Sequence, residues 1–147
     1  MRRVIGIGAV LAGLLFYIPF AMAQNEYEIA FGNYIVNYNT FPSTFLDPAV
    51  AKAVGVKRSD SRGAMTISVR HKTQGIEVKS ASATITATAT NLIGQIRKLD
   101  FKEVKEGGAL YYIGDFPIVR DEALTFTITL IPEGETQLHE FKFSRQF

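Results

Sequence analysis

The chain has 147 residues, 47% hydrophobic and 20% charged, with neither cysteine nor tryptophan. Without cysteine there is no disulfide framework, no thiolate metal site and no lipid-modified cysteine at a processed N-terminus, so stability rests on apolar burial, which one domain of this length supplies. The formal charge of +2 is carried by Arg2 and Arg3, since the other 14 basic residues match the 14 acidic ones, and no nucleic-acid-binding surface follows.

The first 23 residues read as a cleavable signal peptide: Arg2-Arg3, an apolar run from Val4 to Phe20, then Ala21-Met22-Ala23 as a small-x-small cleavage pattern. The alternative is an uncleaved anchor, for which the run is near the minimum length and carries Pro19 near its end. The expectation is one domain over residues 24–147, exported to the periplasm where the host has two membranes, with no stable membrane anchor after cleavage.

Along that domain the apolar pattern has period two. Glu28 to Thr40 places Tyr34, Val36 and Tyr38 on one face, and Gly32-Asn33 interrupts it, predicting one bent strand or two short ones that join different sheets. Asp47 as N-cap, Pro48 at the first helical position and Gly55 past the end predict a two-turn helix. Too short to stand alone, it must pack on the body, either as a lid or as a cap over an open end of a sandwich. Residues 57–63 form a polar loop of mixed charge, and Ala64 to His71 forms the next strand.

The chain is organised around Ala87 to Pro117, which holds the densest aromatic cluster. Leading into it, Ala81 to Thr90 alternates alanine or isoleucine with serine or threonine, giving a thin apolar face and a hydroxylated one. Gln95 to Glu103 reads as one strand, Glu106-Gly107-Gly108 as a hairpin turn and Ala109 to Phe116 as its return strand. Leu124 to Ile131 and Leu138 to Phe147 complete about seven strands. The predicted fold is all-β: an immunoglobulin-like antiparallel sandwich with one short helix.

Catalytic chemistry finds little footing. No G-x-S-x-G elbow is present, and Asp115 is a lone acid among aromatics. His71 and His139 are the only histidines and Met65 is the one methionine after the signal, too few for a zinc or copper set, so each histidine is expected at a strand end with one hydrogen bond. No cofactor, catalytic residue or metal ligand is therefore expected. The candidate interaction surface is Asn91, Gln95, Tyr111, Gly114 and Asp115, polar or small residues set in an aromatic, strand-like stretch.

The same residues carry a resemblance. Phe31-Gly32-Asn33-Tyr34, Phe45-Leu46, Pro48, Arg58-Ser59, Thr90-Asn91-Leu92-Ile93-Gly94-Gln95, Glu106-Gly107 and Tyr111-Tyr112-Ile113-Gly114-Asp115-Phe116-Pro117 resemble the exported proteins catalogued as domain of unknown function 4426. Asn33 departs from that pattern, where an acidic residue is commoner. The resemblance implies a β-rich exported protein with no established activity. Two functions are expected of it: a non-catalytic binding module for an envelope protein or component, or a small-ligand carrier with a pocket between the sheets.

Overall fold

A computed structural model describes residues 27–147, so the signal peptide expected over residues 1–23 lies outside the described residues. Ten strands are described: β1 (Tyr27–Phe31), β2 (Tyr34–Pro42), β3 (Arg62–Lys72), β4 (Val78–Ser80), β5 (Ala83–Asn91), β6 (Ile96–Leu99), β7 (Lys102–Glu106), β8 (Ala109–Pro117), β9 (Ala123–Pro132) and β10 (His139–Gln146). Among the described residues one α-helix, α1 (Pro48–Val54), follows a 3-10 turn at Ser43–Phe45. The strands form two antiparallel sheets, the first ordered β1-β2-β3-β8-β7 with β4 beside β3, the second β10-β9-β5-β6.

The expected sandwich is present, with ten strands instead of about seven, and two features account for most of the excess. Gly32-Asn33 is not a bulge. It is a two-residue turn between Phe31 and Tyr34, with Gly32 at φ 54, so β1 and β2 pair with each other in one sheet. Gln95 to Glu103 is not one strand either: β6 ends at Leu99, and the chain crosses at Asp100-Phe101 to the other sheet, where β7 begins. Period-two alternation continues through that crossing, so pattern alone cannot mark it.

The inner faces meet in one core. Val36, Met65, Ile67 and Val69 come from the first sheet, and Ala87, Ala89, Leu124, Phe126, Ile128 and Leu130 from the second. The alanine face of β5 turns inward as expected, and the room it leaves is filled by Phe116 and Phe126 in the same cluster, their rings edge to face at 5.0 Å. The threonines of β5 face those of β9 on the outer side, where Thr86 and Thr129 share a hydrogen bond.

Helix α1 forms as its residues dictate, with Asp47 Oδ1 accepting from the backbone N–H of Ala49 at 2.8 Å and Gly55 closing it in the left-handed region. It does not cap an open end. Ala51 and Val54 are buried, and Val54 and Val56 pack with Ala64 and Ile113, which point outward from β3 and β8, so α1 makes a third layer over the outer face of the first sheet. Val50, on the other side of the helix, is 45% exposed.

Candidate functional site

The five residues nominated from sequence fall in different surroundings. Gly114 is buried and faces inward on β8, opposite Met65. A Cβ there would lie 2.6 Å from the Asp100 carbonyl oxygen and 3.3 Å from the Phe101 ring, because the β6-to-β7 crossing runs directly over it. Gly114 therefore has no part in a contact surface; it is small so that the chain can change sheets. Asp115 faces outward, and its Oδ2 accepts from Arg62 Nε at 2.6 Å and from the Lys57 backbone N–H at 3.4 Å, tying the 57–62 loop to β8. Tyr111 is half-buried against the small cluster under α1. Its neighbour Tyr112 points inward, where its hydroxyl accepts from the Ala83 N–H at 2.9 Å and donates to Glu103 at 3.1 Å. Burial, reinforced by Glu103, pushes the Tyr112 phenol above its ordinary range.

Asn91 and Gln95 do come together, at the turn between β5 and β6. Asn91 Oδ1 accepts from the Gln95 N–H at 2.9 Å, and Asn91 Nδ2 donates to Gln95 Oε1 at 2.9 Å and to Glu122 Oε1 at 3.1 Å. Glu122 in turn receives both terminal nitrogens of Arg97, at 3.0 and 3.1 Å, a bidentate pair with side chains only 15% and 21% exposed. Hydrogen bonding from Arg97 holds the Glu122 carboxyl below the usual carboxylate range, against the opposing effect of burial. The turn is thus fixed by side chains on both flanks.

What that rigid turn presents is apolar. Leu92, Ile93 and Ile96 are 88%, 79% and 68% exposed. Neighbouring loops at the same end of the sandwich add exposed Val119 and Phe45. Those loops are joined by hydrogen bonds: Arg97 to the Pro117 carbonyl, the Ile118 N–H to the Ser61 carbonyl, Ser43 with Ser59 in both directions, and Arg58 to the Thr44 carbonyl. These apolar residues are not among those nominated from sequence, because polar groups in an aromatic stretch stand out where apolar ones blend in. The available signal was Leu92-Ile93 inside a turn bounded by Asn91 and Gly94, where apolar side chains have no packing role.

The histidines depart in part from expectation. The His139 ring stands against Phe31 at 4.8 Å, and its Nε2 lies 3.5 Å from Glu135 Oε2 yet has no hydrogen-bond partner. His71 packs on Tyr34 at 4.8 Å. Among the described residues no group of three or more histidine or carboxylate side chains is placed to hold a metal ion.

Two antiparallel sheets with a helix laid over one of them define a small β-sandwich protein. The family description "Domain of unknown function (DUF4426)" matches residues 28–147, and the chain belongs to that family. A solved DUF4426 family protein from Pseudomonas aeruginosa PAO1 is similar, with 36% identity over 85% of this chain and 96% of that one, at a TM-score of 0.74. A copper-bound variant of FetP from uropathogenic Escherichia coli strain F11 shares the fold alone, at 13% identity over 82% of this chain and 92% of that one, with a TM-score of 0.53. No curated protein matches the chain.

Proposed function

We propose that the chain is exported to the periplasm and acts as a non-catalytic binding module for an envelope protein or component, docking through the loop end around Leu92, Ile93 and Ile96. Export is supported by the basic start, apolar run and small-x-small pattern of residues 1–23. Docking rests on one observation: strongly exposed apolar side chains sit on a turn held by the Asn91–Gln95–Glu122–Arg97 network. Exposed apolar groups are disfavoured in water, and rigid presentation lowers the entropic cost of contact, so the pairing suits recognition. Asn91 and Gln95 keep a place in this reading as the scaffold of the surface. A non-catalytic role is supported by the employment of the central polar groups: Asp115 binds Arg62, Glu122 binds Arg97, and Glu103 binds Tyr112.

The test is site-specific photo-crosslinking in living cells, with the reactive group at Ile93 or, as control, at Ile76, a fully exposed residue beyond the opposite end of β3. Adducts from position 93 alone are the expected result. Equal adducts from both positions, or none from either, would sink the docking surface. The carrier alternative finds no comparable support, since the space beside the alanine face of β5 is filled by Phe116 and Phe126.

A further inference from the structure

We infer that two copies of the chain join edge to edge through β10, which pairs antiparallel with itself about a two-fold axis at Phe141. The other edge strands are short: β1 has five residues, β4 three, β6 four and β7 five. β10 has eight, without glycine or proline, and its register with β9 is unbroken from His139 to Gln146. Short or interrupted strands protect a sheet from edge pairing, and β10 is neither. Its outward-facing backbone groups follow from the ladder. Phe147, the next residue, donates its N–H to the Glu122 carbonyl on the β9 side. Bonding direction alternates along an antiparallel strand, so the odd-numbered residues bond β9. Glu140, Lys142, Ser144 and Gln146 therefore aim their N–H and carbonyl groups at the open side. Among the described residues no other backbone group bonds to them.

Charge selects a second copy as the strand that completes this ladder. Pairing about Phe141 sets Glu140 opposite Lys142 of the second copy and Lys142 opposite its Glu140, and each pair exchanges both of its backbone bonds. The neighbouring registers, centred on Glu140 or on Lys142, set like charges face to face. Within the fold these two exposed side chains pair with each other, Lys142 Nζ lying 3.5 Å from Glu140 Oε1, and both stay within reach of a neighbouring strand. The seam between the sheets opens on the same side. β1 lies over β10, with Phe31 against His139 and Phe141, and Tyr27 against Phe143. Tyr27 stacks in that seam yet is 44% exposed, while Val36 and Val69 on the inner face of the same sheet are fully buried. The two-fold axis brings the seam against its copy, so one isologous contact completes the ladder and covers the ring. The turn bearing Leu92 and Ile93 lies at the far edge of the second sheet, beside β6, and is left open by this contact.

The test is analytical ultracentrifugation of the protein, produced from its whole sequence and recovered as the cell processes it, across a wide concentration series. The parent chain is expected to form a dimer. Glu140→Lys and Lys142→Glu each turn both opposite-charge pairs into like-charge pairs, and each should raise the dimer dissociation constant about tenfold. Mixing the two variants restores both pairs in a heterodimer, and combining the two changes in one chain restores them in a homodimer. Both side chains are exposed, so unfolding midpoints should match the parent and separate lost association from lost folding. A parent chain that stays monomeric throughout overturns the inference. So does a dimer that neither single reversal weakens. A dimer weakened by the single changes but rescued neither by mixing nor by the double reversal overturns the pairing about Phe141.

Discussion

Two hairpins lie either side of the Asp100-Phe101 crossing, and they reverse the chain by different means. Between β7 and β8 the turn is Gly107-Gly108 alone, at φ 55 and 82, the backbone shape that matches strand twist without a side chain. Its strands carry Lys102, Glu103, Lys105 and Glu106, with Lys105 and Glu103 in an exposed pair. Between β5 and β6 the turn is longer, runs from Asn91 to Gln95, and bears Leu92 and Ile93 at its tip. It is held by an amide pair and a largely buried ion pair reaching the next loop. Reversing a chain needs no more than the first arrangement. The second adds restraint and exposed apolar surface together, and that combination marks a surface shaped for contact.

The largest expected effect comes from breaking the link between the hairpins. Gly114→Val puts side-chain carbons where the Asp100 carbonyl oxygen already lies 2.6 Å from a Cβ position. The backbone of the crossing must move, so the variant should lose about 3 kcal/mol of stability in denaturant unfolding. An unchanged midpoint would mean that the two hairpins are not locked through this contact.

Next in size is the restraint on the β5–β6 turn. Arg97→Ala leaves Glu122, which also accepts from Asn91, without its charged partner in a largely buried site and should cost about 2 kcal/mol. The corresponding Lys105→Ala on the β7–β8 side should change nothing measurable, since that pair is exposed and screened. Acid separates the two in the same way. The Glu122 carboxyl titrates lower in the folded state than when unfolded, because Arg97 bonds its charged form. Its contribution is therefore complete above the ordinary carboxylate range and disappears as pH falls through the depressed folded value. Glu103 is also lowered, chiefly by Lys105, but in contact with solvent. The stability gap between the native chain and Glu122→Gln should close on acidification. A gap that stays constant with pH would show that Arg97 does not stabilise the charged form.

Much of this architecture was legible in the sequence, and the exceptions have physical causes. Strong local rules gave helix α1, through Asp47, Pro48 and Gly55, and the Gly107-Gly108 turn. Period-two alternation gave the faces of β3, β5 and β9. Alternation is blind to which sheet a strand joins, so the crossing at Asp100-Phe101 stayed hidden, and with it the reason for Gly114. The surface was half legible: Asn91 and Gln95 stood out as polar residues in an aromatic stretch, and they do meet. Their charged partners could not be read, because Glu122 lies 31 residues from Asn91 and 25 from Arg97, contacts made only once β9 pairs with β5.

The smallest expected effect on stability is the most telling for function. Leu92 and Ile93 are 88% and 79% exposed, so folding gains almost nothing from their apolar surface. The double change Leu92→Ser with Ile93→Ser should leave the unfolding midpoint within about 0.5 kcal/mol of the parent, as surface substitutions do. The same holds for Ala109→Ser beside the Gly107-Gly108 turn, which is exposed as well. In stability the two hairpins become indistinguishable. In contact they should diverge: crosslinks fall for the Leu92 and Ile93 pair and stay unchanged for Ala109→Ser. A drop in stability for the double variant would instead assign these side chains a packing role, and the exposed turn would lose its claim to be a docking surface.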